Sequence, residues 1–173
     1  MGNPLRRWEY RPGTSTRRWG EKGGDQALGW SRGGFSTKLH VRAEGQGKPI
    51  TFVLTGGERH EVTVFEQLLT QGAIKRASGG RPRKRPKRIV GDKGYSYPSV
   101  RRFLRRRGIR YTIPCRSDQH ATGPFDKATY RQRNRVERLI NRLKQFRRIA
   151  TRYEKLAASY LAMLHLAAIL LWI

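Results

Sequence analysis

A large excess of basic residues constrains this chain more than any other feature of its sequence. Of 173 residues, 38 are lysine or arginine and 12 are aspartate or glutamate, which gives a formal net charge of +26. Self-repulsion of this size destabilises a compact monomer, so the balance favours a polyanionic partner such as nucleic acid, with an anionic membrane surface as the alternative. Arginine predominates over lysine, which suits bidentate contacts to phosphate. The length allows one domain with a substantial core and would crowd two.

Several classes of protein are disfavoured by the cysteine, the histidines and the two ends of the chain. The single cysteine, Cys115, cannot form an internal disulfide framework and fits a reducing compartment. No CxxC or HxxxH spacing occurs, so a zinc site is not expected. The N-terminal sequence lacks the apolar region of a signal peptide. The nearly uncharged run at 156–173 is at the lower limit for a membrane span, and its polar interruptions favour a buried helix.

Hydrophobic periodicity predicts an α/β domain over residues 35–173. Residues 1–34 show no sustained period and are expected to form an irregular basic segment. Two β-rich runs joined through GQGK predict a hairpin, and the whole order is β-β-α-β-α-β-α-α with a mixed sheet. A basic mobile loop is expected at 75–88. The last two helices are predicted at about 129–150 and 154–172.

Two acidic residues stand apart from the others, which lie among polar residues or in loops. The first, Asp92, directly follows the strand sequence RIVG, where α/β sheets end and place their ligands. Gly91 and Gly94 would let a phosphate or a metal approach the backbone. From this position alone, a functional acid and an aspartate that opens a turn are equally favoured.

The second acid, Glu137, lies in the strongly basic segment YRQRNRVERLINRLKQFRR. Helical winding places Tyr130, Arg133, Glu137, Lys144 and Arg148 on one stripe beside the apolar face. The helix by itself favours a surface ladder of ion pairs worth a few tenths of a kcal/mol. Two acids among many cations are also what metal-assisted cutting of DNA requires, because Mg²⁺ binds carboxylates and arginines bind phosphate.

Residues Tyr130, Arg133, Glu137 and Lys144 fit the pattern Y-x2-R-x3-E-x6-K, which resembles the signature of bacterial insertion-sequence DDE transposases. The segment IVGDKGY resembles the surroundings of that family's second acid, and SRGGFSTKLH and LTGGERHE resemble further blocks in the same order. The resemblance covers roughly residues 13–173. It implies a ribonuclease H-like fold, a mixed sheet flanked by helices, in which three carboxylates hold two Mg²⁺ ions.

The same resemblance implies roles for individual residues. Asp92 and Glu137 would be the second and third catalytic acids and the metal ligands, while the role of His60 is left open between support and structure. The basic and aromatic residues would place DNA near the metals. The residues expected to contact DNA are Tyr130, Arg133, Lys144, Arg148, Arg32 and Lys38.

One departure from the family concerns the first acid. In the segment RPGTSTRR, Pro12 stands where the family has aspartate, and proline cannot extend a central strand. The first strand of the fold is therefore expected to be missing or degenerate. Glu9 and Asp25 are poor substitutes because neither lies at a strand end.

The resemblance implies a transposase or its catalytic-domain fragment, which binds insertion-sequence ends and catalyses Mg²⁺-dependent cleavage and strand transfer. The implied partners are the terminal repeats, target DNA, further copies of the chain on DNA, and an upstream-frame polypeptide that supplies the first aspartate. No membrane partner is expected, and the implied location is the bacterial cytoplasm at the nucleoid. The alternatives are an inactive DNA-binding remnant that lacks the first acid, and a membrane-surface protein.

Overall fold

Five strands and six α-helices form the described part of the chain, which comprises residues 25–31, 34–76, 78–119 and 124–173 of a computed structural model. The strands are β1 (Gly29–Ser31), β2 (Gly34–Ala43), β3 (Pro49–Gly56), β4 (Arg88–Val90) and β5 (Arg110–Thr112). The helices are α1 (Phe65–Thr70), α2 (Pro98–Arg106), α3 (Lys127–Arg131), α4 (Asn134–Lys144), α5 (Arg147–Ala150) and α6 (Ala157–Trp172). Short 3₁₀ turns lie at Glu61–Val64 and Lys93–Tyr95.

An antiparallel sheet of three strands has β2 at its centre. The predicted hairpin of β2 and β3 is confirmed, with Leu39 opposite Leu54. Its turn uses Gly47 at φ +91°, a conformation that glycine adopts without a steric penalty. On the other edge of β2 lies β1, a strand of three residues that the sequence pattern did not predict.

A parallel pair forms the second sheet. β4 and β5 pair with Ile89 opposite Tyr111, and α2 connects them. Pro98 begins α2, as suits the first turn of a helix, and the helix buries Val100 and Leu104. The α/β class is thus confirmed, with both antiparallel and parallel pairing. In the described residues, however, the strands form two sheets rather than the expected single mixed sheet, because no strand lies between β2 and β4.

The C-terminal helices pack against the hairpin. The helix predicted at 129–150 is divided into α3, α4 and α5, and the helix predicted at 154–172 is α6. Leu139 and Leu143 of α4 and Leu164 of α6 are buried in one cluster with Phe52 of β3. This packing covers one face of the hairpin, while α1 covers the other with Leu68 against Val53.

α6 is buried along one face and exposed along the other. Tyr160 and Ala167 are buried, whereas Leu166, Leu170 and Ile173 are exposed. Burial of the first face agrees with the expected core helix. None of the helices in the described ranges has the length and hydrophobicity needed to cross a bilayer.

The basic segment at 75–88 contains no helix or strand among its described residues before Arg88, where β4 begins. Ile74 and Arg83 exchange backbone hydrogen bonds of 2.8 and 2.9 Å across it, which closes the segment into a loop. The predicted mobility of this loop stays a prediction.

Candidate metal and DNA site

Asp92 lies directly beyond the end of β4, as predicted. Gly91 continues the β4–β5 pairing by donating to the carbonyl of Thr112 at 3.1 Å, and the chain then leaves the sheet. The Asp92 carboxylate accepts from the backbone N–H of Lys93 at 2.7 Å and so caps the 3₁₀ turn that follows. One carboxylate oxygen is used by this cap, so the other is available to a ligand.

Glu137 lies in the first turn of α4 and forms an ion pair with Arg133. Arg133 Nη2 is 2.8 Å from Glu137 Oε1, at the spacing of one helical turn. Arg133 also donates from Nε to the Tyr130 hydroxyl at 3.2 Å, and its guanidinium lies over the Tyr130 ring. The first three residues of the Tyr–Arg–Glu–Lys pattern therefore form one contiguous group, although the helix breaks between α3 and α4.

Both predicted acids act electrostatically on Arg133. Partial burial acts to lower the pKa of Arg133, but the negative charges of Asp92 and Glu137 and the neighbouring Tyr130 raise it above its ordinary value. An effect on the same guanidinium requires both carboxylates to be nearby. The strand-end acid and the helix acid, 45 residues apart in the sequence, thus both lie near enough to one arginine to raise its pKa.

A capped helix start holds α3 beside β4. Asp126 accepts from the backbone N–H of Thr129 at 2.8 Å, and Arg88 of β4 donates to Asp126 at 3.1 Å and to the Thr129 hydroxyl at 2.7 Å. Hydrogen bonds from Thr129, with support from Arg88, lower the pKa of Asp126. Since α3 carries Tyr130 and β4 leads to Asp92, these contacts fix the two halves of the site relative to each other.

A buried histidine supports the turn that follows Asp92. His40 of β2 is 3.0 Å from the Thr55 hydroxyl through Nε2 and 3.4 Å from the Tyr95 hydroxyl through Nδ1. Burial, and next the positive charge of Lys38, lower the pKa of His40 to about 4. Burial also raises the pKa of Tyr95, with smaller effects from nearby carboxylates that include Asp92. The neutral histidine thus joins the Asp92 turn to the hairpin.

Lys38 and Glu61 form an ion pair beside this histidine. Lys38 Nζ is 3.2 Å from Glu61 Oε1 and donates to the Arg59 carbonyl at 2.7 Å. Burial acts to raise the pKa of Glu61, but a backbone hydrogen bond and Lys38 outweigh it and lower the value. Lys38, predicted to bind DNA, is therefore held by two protein contacts on the same face of β2 as His40.

The buried histidine predicts a measurable loss of stability in mild acid. A depressed pKa in the folded state means that the unfolded chain binds the proton more tightly, so the contribution is present above pH 6.5 and is lost as the pH falls toward 4. We expect the free energy of unfolding to fall by about 2 kcal/mol between pH 7 and pH 5. Urea unfolding at both values measures it, and His40→Gln should remove most of the difference. An unchanged difference in His40→Gln would contradict the assignment.

The remaining predicted residues lie at different distances from the two acids. Lys144 is half-buried on α4, seven residues after Glu137, which corresponds to about 10 Å along a helix. Arg148 is exposed, with its Nε 3.5 Å from Glu154. His60 is exposed and precedes a 3₁₀ turn, where its carbonyl accepts from Thr63. Arg32, Pro12 and Glu9 lie outside the described residues.

Sequence reasoning missed the residues that support the two acids. Alternation along β2 places Lys38 and His40 on one face, which was a usable signal. Tyr95 follows Asp92 by three residues, yet its contact with His40 spans 55 positions and has no local pattern. Asp126 was placed in a loop, and the cap it provides became visible only with the start of α3.

The oxygen donors present suit Mg²⁺ in type but fall short in number of a complete site for two ions. Asp92 and Glu137 offer the carboxylate oxygens that this cation prefers. Within the described ranges, no group of three or more histidine, cysteine, aspartate or glutamate residues is arranged to hold a metal. Asp92 and Glu137 are therefore the two predicted carboxylate ligands that the described residues supply.

Comparisons with known proteins agree on one family. A family model described as a transposase DDE domain matches residues 8–172. A protein of Burkholderia cepacia, named as a transposase for insertion sequence element IS402, is 33% identical over 157 residues, which cover 90% of this chain and 71% of that protein. A protein of Brucella ovis, named as a transposase for insertion sequence element IS6501, is 26% identical over 141 residues. These cover 80% of this chain and 99% of that protein. No solved structure shows significant similarity.

Proposed function

The chain belongs to the transposase DDE domain family, as its motifs indicated, and on that premise we propose that it binds insertion-sequence ends and catalyses Mg²⁺-dependent cleavage and strand transfer. The observation that carries this proposal is that Arg133 pairs with Glu137 and also has its pKa raised by the charge of Asp92. It joins two metal-binding carboxylates and a phosphate-binding group in one place, on a chain of net charge +26.

In this proposal the fold is ribonuclease H-like, and Asp92 and Glu137 hold the metal. When bound, Mg²⁺ would activate the attacking oxygen and stabilise the leaving one. The attacking groups would be water in the cleavage step and a 3′-hydroxyl in strand transfer, with no protein nucleophile. The first acid would have to join Asp92 and Glu137 to complete the set.

The chain's own residues would position the DNA. Arg133 balances the two carboxylates while no cation is bound. The Arg133 guanidinium would contact a DNA phosphate, which it matches with two parallel donors. Tyr130 holds the arginine side chain through its ring and hydroxyl. Lys144 and Arg148 extend the basic surface farther along the helices.

Arg133→Gln is expected to weaken binding to duplex DNA that carries the element's end by about fivefold at 100 mM salt. The loss of one phosphate contact should also reduce the slope of log affinity against log salt by about 1. Binding is measured by anisotropy in EDTA, so that cleavage does not interfere. Arg102→Gln on α2, whose residues take no part in the site, is the matched control. Equal losses in both variants would show a general charge effect and contradict a specific contact.

A non-catalytic role is the second candidate, and the presence of only two acids at the described site favours it. The chain would then bind element ends and cleave nothing. Both candidates predict DNA binding in EDTA, whereas only the enzyme predicts Mg²⁺-dependent nicking that Asp92→Asn removes. Nicking that persists in Asp92→Asn would contradict the proposed site. If a protein with all three catalytic acids present still showed no nicking, the non-catalytic DNA-binding role would be favoured.

The partners and location follow from the same proposal. The DNA partners are the terminal repeats and a target duplex, and copies of the chain would assemble on DNA. This assembly would take place in the bacterial cytoplasm at the nucleoid, where the element's DNA lies.

A further inference from the structure

A basic loop lies on the surface between α1 and β4. Residues 75–88 include eight lysine or arginine residues and no acidic residue. Backbone hydrogen bonds of 2.8 and 2.9 Å between Ile74 and Arg83 join the two sides of the loop. The described residues between this pair, 75–76 and 78–82, are all exposed. They form a short cationic projection, here called the basic arm.

The base of the arm is attached to the hairpin by Arg42 of β2. Its guanidinium donates to the carbonyl of Lys84, on one side of the loop, at 3.1 Å. The same guanidinium donates to the carbonyls of Leu69 at 2.6 Å and Gln71 at 2.9 Å, just before the other side. Both ends of the loop are thus bound to one side chain, so the folded domain holds the arm at a fixed place on its surface.

The tip of the arm is a narrow turn without side chains. Gly79 and Gly80 have φ angles of +76° and +81°, which glycine adopts without the steric cost that other residues meet. Two successive residues of this kind reverse the chain, as in the tight turns of hairpins. Among the described residues, no atom lies within 4 Å of the position that a Cβ would take on either glycine. The tip is therefore thin and open to the outside.

Arg81 directly follows this turn and is exposed. In the described ranges its side chain takes part in no hydrogen bond or ion pair, and the same holds for Lys75 and Arg76 on the other side of the turn. Pro82, the next residue, lacks an N–H and makes this side of the arm a poor edge for a further strand. The arm thus presents free cationic donors and little capacity for pairing with a protein strand.

We propose that the basic arm enters the minor groove of duplex DNA and that Arg81 contacts the edges of A·T base pairs there. The minor groove is about 6 Å wide, which suits a thin turn better than a helix or a two-stranded ribbon. Arginine is the side chain that narrow minor grooves attract through their negative potential. This inference goes beyond the proposed cleavage chemistry and rests on the proposed function only in that the chain binds duplex DNA.

The preference for A·T pairs follows from the hydrogen-bonding groups on both sides. The guanidinium of Arg81 carries five N–H donors and no acceptor. In the minor groove an A·T pair presents only acceptors, whereas a G·C pair adds the donor N2 amino group of guanine. A donor placed against a donor leaves both groups unpaired, so G·C pairs should be disfavoured at the position of Arg81.

A contact to phosphates alone is the alternative for a run of positive charges. Lys75 and Arg76 suit that role, because phosphate contacts position a protein without reading its sequence. Such contacts weaken or strengthen binding to all duplexes alike. A difference between A·T and G·C duplexes therefore separates groove insertion from a general attraction of charges.

The test measures binding of the full chain to labelled duplexes of equal length by anisotropy, in EDTA and at one salt concentration. One duplex has a central run of A·T pairs, one has G·C pairs there, and one has inosine·cytosine pairs. Inosine lacks the amino group of guanine, so the third duplex combines the minor groove of A·T with the major groove of G·C. We expect the A·T and inosine duplexes to bind at least about tenfold more tightly than the G·C duplex, and netropsin to compete for both.

Three variants assign this preference to one side chain. Arg81→Gln should reduce the preference to about twofold or less, mainly through weaker binding to the A·T duplex. Arg81→Lys should keep the affinity for the G·C duplex and lose most of the preference, because lysine retains the charge without the planar set of donors. Arg76→Gln is the matched control on the same arm and should weaken binding to all three duplexes equally.

Equal binding of the A·T and G·C duplexes would overturn the groove contact, as would an inosine duplex that binds like G·C. A preference that persists in Arg81→Gln, or that falls as far in Arg76→Gln, would show that Arg81 is not the reading residue. The catalytic proposal is tested separately with Asp92→Asn, which should lose Mg²⁺-dependent nicking and keep the A·T preference. A wild-type chain that nicks DNA without this preference would contradict the arm alone, and one that shows the preference without nicking would contradict the catalytic proposal alone.

Discussion

Asp92→Asn is expected to weaken Mn²⁺ binding at least about tenfold and to reduce Mg²⁺-dependent nicking at least about 100-fold, a larger effect than the loss of a supporting residue. The substitution removes one of the two carboxylates whose charges raise the pKa of Arg133. Asparagine is also a good cap, so its side-chain oxygen can still accept from the backbone N–H of Lys93. The effect should therefore come from the lost charge and not from a disturbed turn.

The measurement pairs a calorimetric Mn²⁺ titration with a DNA-binding assay in EDTA. Affinity for DNA should be retained or slightly raised, because a negative charge near the phosphates is removed. Asp118→Asn is the matched control, since Asp118 is an exposed acid that pairs with Arg116 at 3.3 Å and is not placed in the site. Equal Mn²⁺ affinity in wild type and Asp92→Asn would show that this carboxylate is not a ligand.

Glu137→Gln tests the second carboxylate with the same assays. Glutamine keeps an oxygen that can accept from Arg133, so the helix should be little changed. We expect a similar loss of Mn²⁺ affinity, and little further loss in the double variant, because both acids act on one ion. Additive losses would instead indicate two independent sites.

The sequence was most informative where a local pattern and the tertiary structure agree. Alternation in β2 and β3 predicted the hairpin, and helical spacing predicted that Tyr130, Arg133 and Glu137 share a face. The predicted position of Asp92 at a strand end is confirmed. In an α/β chain, a short apolar run followed by glycine predicts a strand that ends there. These features are decided by residues close in sequence.

The features that were missed depend on distant contacts. The segment from α3 to α5 contains no proline or glycine, so nothing local predicts its breaks. The start of α3 is set by the Asp126 cap, whose carboxylate also contacts Arg88, 38 residues away. The division of the described strands into two sheets was not predicted either, because it depends on pairing between segments that are distant in the sequence.

Arg152→Met is expected to lower the free energy of unfolding by about 3 kcal/mol, because it removes a buried group on which several elements depend. Arg152 is 4% exposed. It donates to the carbonyl of Gln26 at 2.7 Å, to that of Glu154 at 2.9 Å and to the hydroxyl of Thr37. Its guanidinium also lies over the Tyr160 ring at 5.2 Å. Methionine would fill much of the space and leave these acceptors buried without a donor.

The expected loss in the free energy of unfolding depends on the several N–H donors of the Arg152 guanidinium and not on its charge alone. Arg152→Lys tests this. Lysine keeps the charge but cannot present five N–H groups in a fixed plane, so it should recover less than half of the loss. Arg102→Met on the exposed side of α2 is the control and should change stability by no more than about 0.5 kcal/mol. Guanidinium unfolding at pH 7 measures all three variants. If Arg152→Met cost no more than this control, the segment at 25–27, β2 and the start of α6 would be held together by apolar packing, and the buried arginine would be incidental to the fold.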